Sequence, residues 1–437
     1  MFETIVALAT PKLKSALAVI RLSGDDCFEI VSSVFTKDLT KDKKRSIHYG
    51  YIKDDDNEID QVVLLTYVSP SSFTGEDSVE IICHGSMLIV DQIIKLLLSK
   101  GARYALNGEF SSRAYMNGKV DLVQAEAIND MINATTNEAK ELSLLALKGE
   151  NSKLFKPIKT KIGELLAKVE VNIDYPEYED IEITSKEEII KESTVIINSL
   201  KELIKQGEKD LMYKEGLNIS IVGKPNVGKS SLLNALINED KAIVTSIAGT
   251  TRDIVEGDFS LNGVPIHLLD TAGLHESNDI VEQIGINKAK KAIEDSDLVL
   301  FIVDETGFDN DLYNLIKEKK HLIVYNKKDL LKDFDKNNIY ISAKEKDISP
   351  LINKIKEIME IDEISIKPSF NNVRQLGILK NIVFNLNKAI EDCKNDEPID
   401  LISTSLMCAY NCSLDLLGES NKNDLVDEIF SRFCVGK

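Results

Sequence analysis

The chain has no tryptophan, only six cysteines in 437 residues, and fewer basic than acidic side chains. Each shortage excludes something. No C-x-x-C pair occurs among the cysteines, which argues for reduced core thiols over a disulfide frame or a zinc site. The pair Cys408 and Cys412, one helical turn apart, is the remaining metal-type spacing. Apolar runs such as Leu96–Leu98 and Val299–Val303 fall far short of the roughly 20 residues that a membrane span needs. Met1–Thr10 lacks a basic start followed by an apolar stretch, so no secretory signal is read and a cytoplasmic, membrane-free protein is expected. With 53 Lys and Arg against 72 Asp and Glu, the formal charge is −19, which excludes a general nucleic-acid coat. Two local basic stretches, Lys37, Lys41, Lys43, Lys44 and Arg45, and Lys153, Lys156, Lys159 and Lys161, read either as solvated faces or as RNA contacts.

What the chain does have is a 43% apolar content, too high for disorder, and a length that implies two or three domains. Up to residue 118 the pattern is α+β: Ala16–Leu22, Gln61–Val68 and Ser78–Cys83 read as strands, and Leu88–Leu98 as a helix ending at Gly101. From 119 to 215 apolar residues recur at helical steps, interrupted at Asp174-Tyr175-Pro176-Glu177, where proline disfavours helix. Helix resumes near Ser185 and runs to Met212. Between 216 and 360 the segments Asn218–Val222, Pro265–Leu269, Leu298–Asp304, His321–Tyr325 and Ile339–Ser342 alternate with helical stretches, the mark of a doubly wound parallel sheet. Residues 361–437 are helical again and small for an independent core. The expected architecture is therefore multidomain α/β, with a sheet domain inserted into a discontinuous helical domain.

The sharpest motif is Gly223-Lys224-Pro225-Asn226-Val227-Gly228-Lys229-Ser230, a phosphate loop between a strand and a helix that opens at Ser231. Glycines let backbone N–H groups converge on phosphate at a helix N-terminus, Lys229 adds a charge, and Ser230 can ligate Mg²⁺. The segment Thr245-Ser246-Ile247-Ala248-Gly249-Thr250-Thr251 supplies a second magnesium-facing hydroxyl at Thr251. Asp270-Thr271-Ala272-Gly273 then ends a strand where a carboxylate and an N–H can face metal and γ-phosphate. Asn326-Lys327-Lys328-Asp329 selects guanine, since Asp329 can accept from N1–H and the 2-amino group while Asn326 bonds the O6/N7 edge. Ser342-Ala343-Lys344 can cap O6 through a backbone N–H. In this order the pieces spell a P-loop GTPase domain. Leu274 follows Gly273, where small GTPases carry a water-orienting glutamine, so another group must act. Glu282 is the polar residue at the switch edge; its bland reading is an exposed glutamate opening the next helix.

With these motifs in place, the chain from Thr4 to Lys437 resembles the MnmE (TrmE) family of tRNA modification GTPases. Ser72-Phe73-Thr74-Gly75-Glu76-Asp77, Gly108-Glu109-Phe110-Ser111, Lys119–Ile128 and Phe433-Cys434-Val435-Gly436-Lys437 carry the likeness. The resemblance implies a folate-binding and dimerising N-terminal domain, 1–118, taking 5-formyl- or 5,10-methylene-tetrahydrofolate. It implies a helical domain from 119–215 and 361–437, and a G domain, 216–360, that hydrolyses GTP with Mg²⁺ and K⁺. Homodimers working with the FAD-dependent MnmG in a heterotetramer-type complex would modify the wobble uridine of certain tRNAs. By the same resemblance, Glu282 orients water, and Asn226 with carbonyls of Thr245, Ile247 and Thr250 holds K⁺. Folate falls to Arg21, Glu80, Lys119 and Lys437, and Cys434 is either a catalytic thiol near that site or a core thiol. A GTPase switch in ribosome assembly, without modification chemistry, is the alternative. This chain departs from the family at Lys12-Leu13-Lys14-Ser15-Ala16, where a glycine-rich loop is usual, and at Ser86 in His84-Gly85-Ser86. His84 reads as a turn residue or a ligand.

Overall fold

A computed structural model describes residues 3–41, 43–174, 184–239, 255–269, 290–330, 335, 338–361, 366–420 and 423–436. Within it the chain divides into two compact units, one of 1–129, 147–183 and 398–437, the other of 130–146 and 184–397.

The first unit is built on a six-stranded sheet: β1 (Ile5–Leu8), β2 (Leu17–Ser23), β3 (Ser46–Asp54), β4 (Asn57–Tyr67), β5 (Ser78–His84) and β6 (Arg103–Tyr104), in the order β3-β4-β5-β2-β1-β6. All neighbours are antiparallel except β1 and β6. Alternation decides the faces. Ala18, Ile20 and Leu22 of β2 and Val79, Ile81 and Cys83 of β5 are buried in one core with residues of the helices Cys27–Ser32 and Met87–Ser99. The alternate residues, Leu17, Val19 and Arg21 on β2 and Glu80, Ile82 and His84 on β5, lie on the opposite face and are half-buried or exposed. The helices Glu150–Asp174 and Ile399–Leu417 pack together in this unit. Phe430 and Phe433 join Leu122 and Ala125 in a smaller core.

The second unit holds β7 (Leu217–Gly223), β8 (Val255–Leu261), β9 (Val264–Leu269), β10 (Leu298–Val303), β11 (His321–Tyr325) and β12 (Ile339–Tyr340), ordered β12-β11-β10-β7-β9-β8. Every residue of β10 is buried. Its Leu298, Leu300 and Ile302 join one core and Val299, Phe301 and Val303 another, as expected of a central parallel strand covered on both faces. The parallel strands match the expected doubly wound sheet. β8, antiparallel to β9, is the addition: with Gly257 and Asp258 inside it, the segment has little strand propensity of its own. The helices Lys186–Glu215 and Val373–Lys394 pack together here, the first capped by Ser185, whose hydroxyl accepts from the Glu188 N–H.

Candidate functional site

The phosphate loop leaves β7 at Gly223 and turns twice through left-handed backbone, at Asn226 (φ +63°) and Gly228 (φ +96°). Asparagine tolerates that region and glycine is at home in it. A Cβ at position 228 would also stand 2.3 Å from the Asn326 amide nitrogen, so only glycine fits. The Lys229 ammonium donates to the carbonyls of Gly223 and Lys224, each at 2.8 Å, and draws the loop round itself. Ser230 and Ser231 are exposed in the first turn of the helix Lys229–Glu239, where unpaired N–H groups and the helix dipole favour an anion.

Asn326 follows β11 and is only 3% exposed. Its Nδ2 donates to the Val227 carbonyl (2.8 Å) and its Oδ1 accepts from the Ala343 N–H (3.1 Å). Asn326, expected on the O6/N7 edge of the base, also braces the phosphate loop against the Ser342–Lys344 loop through both ends of its amide. Asp329 stays exposed in the turn Lys328–Leu330, and its Oδ1 accepts from the Ser342 hydroxyl at 2.7 Å. That bond holds the Asp329 carboxyl below the usual range, with help from a backbone N–H and from Lys344 and Lys327. Lys327, at φ +60°, reaches the Asp304 carboxylate at 2.5 Å. Burial opposes ionisation of Asp304, but hydrogen bonds from Lys327 and Thr306 outweigh it and keep the group low. Sequence reasoning missed Asp304 and Thr306, although an Asp closing a buried strand was the available signal. The segment Thr245–Thr251, Asp270–Gly273, Glu282 and Lys437 lie outside the described residues.

In the first unit, Arg21 and Glu80 are direct cross-strand partners. Arg21 Nε and Nη2 bond Glu80 Oε1 at 2.9 and 2.8 Å, and Nη1 donates to the Gly436 carbonyl at 3.2 Å. The guanidinium lies 5.8 and 5.7 Å from the ring centres of Phe73 and Phe110. Lys119 donates to the Pro70 carbonyl (2.8 Å), and Asn117 to that of Thr74 (2.8 Å), so both fasten the loop that carries Phe73. Beneath this loop runs a buried network that the sequence reading did not single out. Arg113 bonds Glu76 and Glu109, Ser23 donates to Glu76, and Thr74 pairs with Ser23. Its signal was the polar Ser72–Asp77 and Gly108–Ser111 motifs themselves, which supply Glu76, Thr74 and Glu109. Cys434 is exposed, which removes the core-thiol reading; its carbonyl accepts from the Gly108 N–H at 3.4 Å. Cys27, Cys83 and Cys393 are the buried thiols, and burial pushes Cys83 up to about 11.

The sequence profile of the MnmE helical domain matches residues 122–434, and that of the GTP-binding protein TrmE N-terminus matches residues 4–119. The chain belongs to the MnmE (TrmE) family. Relatives named tRNA modification GTPase MnmE include one from Ureaplasma parvum serovar 3, 42% identical over 439 residues and covering 100% of both chains. Another from Acholeplasma laidlawii is 40% identical over 447 residues, again 100% of both. A third, from Enterococcus faecalis, is 39% identical over 458 residues, covering 100% of this chain and 98% of the relative. The TrmE profile takes in Arg21, Glu80 and Lys119, while the MnmE helical profile encloses the phosphate loop and the guanine loops.

Proposed function

We propose that the chain is a GTP-hydrolysing enzyme of tRNA modification, which works with the FAD-dependent MnmG to add a carboxymethylaminomethyl-type group to the wobble uridine C5. The observation that carries the GTPase part is the Asn326 brace, which brings the phosphate loop and the base-capping loop to one edge of the parallel strands. Full-length likeness to tRNA modification GTPases from three genera supports the rest.

The residues fit the groups this function requires. Ser230, exposed at a helix start, would hold Mg²⁺ and exposed Asn226 would contribute to a K⁺ site; by the family resemblance Thr251 would join the first, and the carbonyls of Thr245, Ile247 and Thr250 the second. When bound, these ions would neutralise the phosphate charge that builds up during hydrolysis. Lys229 binds the β- and γ-phosphates, Glu282 orients the attacking water, and Asp329 selects guanine. A reduced folate would find a carboxylate (Glu80), a cation (Arg21) and the exposed ring of Phe73 together, with Phe110 buried behind the guanidinium. Lys119 and Lys437 extend that site, and Cys434 stands exposed in the segment that reaches Arg21. Ile47 and Tyr49, 73% and 60% exposed on the edge strand β3, support pairing of two copies through this region.

The test is a reconstitution of purified chain, MnmG, GTP, K⁺, Mg²⁺, reduced folate and unmodified tRNA, read by nucleoside mass spectrometry. The modified uridine is expected only with both proteins present. Its absence under these conditions, with GTP turning over, favours the ribosome-assembly alternative.

A further inference from the structure

Three successive residue pairs occupy the outer face of β2 and β5. Arg21 stands opposite Glu80, Val19 opposite Ile82, and Leu17 opposite His84. The face therefore reads ionic, apolar, then polar along its length, with His84 about 13 Å from Glu80 at the usual strand rise. His84 is not left to turn. Asp60, its side chain 8% exposed, bonds His84 Nδ1 at 2.7 Å and its backbone N–H at 2.8 Å, so Nε2 points away from the partner that fixes the ring. The loop next to it is the one where this chain departs from its family. The Ser15 N–H donates to the Gly85 carbonyl (3.1 Å) and the Gly85 N–H to that of Ala16 (3.2 Å). That pairing brings Lys12 and Lys14 to the His84 end of the face, and among the described residues neither lysine has a hydrogen-bond or ion-pair partner.

We infer that His84, Lys12 and Lys14 form a subsite for the glutamyl carboxylates of a reduced folate whose pteridine end lies at Glu80. The inference rests on the folate reading above and adds an orientation and a preference to it. A carboxylate such as Glu80 matches the adjacent N–H donors of a pteridine, the Val19 and Ile82 floor suits the apolar aryl segment, and the cationic end suits an anionic tail. In a chain of charge −19, two unpaired lysines beside a fixed histidine are the electrostatic complement of such a tail.

The experiment is calorimetric titration of the full chain with 5-formyltetrahydropteroate, 5-formyltetrahydrofolate and its triglutamate. Affinity of the unaltered protein is expected to rise in that order. Lys12→Ala with Lys14→Ala should weaken the triglutamate about 10-fold and leave the pteroate unchanged, one charge-assisted contact being worth that much. His84→Ala should bring the monoglutamate down to the pteroate. Lys12 and Lys14 are exposed and without partners among the described residues, and His84→Gln, which can still donate to Asp60, separates loss of the imidazole from loss of the Asp60 bond. Equal affinity for the three ligands, or a loss shared equally by pteroate and triglutamate, overturns the subsite while leaving folate binding in place. No binding of any ligand by the unaltered protein overturns the folate reading and the subsite with it.

Discussion

Asn326 and Arg113 do the same mechanical job in different chemistry. The buried amide of Asn326 joins two loops of the nucleotide site through one donated and one accepted bond, both neutral. The buried guanidinium of Arg113, 3% exposed, joins the Glu76 loop to its own helix through charges. A neutral brace costs little to bury and holds two main chains at a fixed separation. A charged one must recover a large desolvation penalty, so it adds little net stability while intact and is severe when half removed. Loss of the neutral brace is therefore expected to be milder than loss of one partner from the charged one.

That contrast is sharpest under mutation. Arg113→Met should lower the stability of its unit by about 3–5 kcal/mol, the usual result of stranding a buried charge. Chemical unfolding followed by far-UV circular dichroism measures it, since the chain has no tryptophan to report. Adding Glu76→Leu should restore much of the loss; a double variant no better than the single would mean that the pair is not the source. Next in size, Asp329→Asn should weaken GTP about 100-fold, two charge-assisted bonds being lost, and favour xanthosine triphosphate in competition binding. Asn326→Ala should cost about 10-fold in GTP affinity, because two backbone groups lose a partner, without the loss of stability expected at Arg113. Matching losses of stability at the two positions would erase the distinction drawn between them.

Exchange of K⁺ for Na⁺ should slow hydrolysis by about 10-fold, and Asn226→Ala should remove most of that difference while nucleotide still binds. Smallest is Ser342→Ala. The Ser342 hydroxyl holds the Asp329 carboxyl below its ordinary range, so guanine recognition persists above that lowered value and is lost as pH falls through it. Without the hydroxyl, the acid limb of GTP binding should move up in pH, towards an ordinary carboxylate. A limb that stays put would show that another group titrates there.

The two regions also differ in how much of them was written locally. Phosphate and guanine loops are contiguous motifs at strand ends, so position and order were readable before any coordinates. What stayed hidden was orientation: Asn-Lys-x-Asp speaks of the base, and nothing in it says that Asn326 is buried against Val227. The N-terminal cluster is assembled over long separations, Arg113 with Glu76 across 37 residues and Arg21 with Gly436 across 415, which no periodicity encodes. Family resemblance, not spacing, brought Arg21 and Glu80 forward. Strands β1, β3 and β6 escaped because they are short or, in β3, interrupted by Gly50 on an edge.

The Arg21 bond to Gly436 has a consequence for the order of events during synthesis. The strand that carries Arg21 leaves the ribosome 415 residues before its partner is made, an interval of about 20–80 s at 5–20 residues per second. Throughout that time the sheet can pair its strands, but the guanidinium lacks the carbonyl that fixes it. A product cut short between Lys344 and Gly436 would therefore carry the phosphate and guanine loops and still have an unfinished N-terminal cluster. The guanine loops are complete at Lys344, before the residue that completes the other cluster is made, so only a chain that reaches Gly436 holds both.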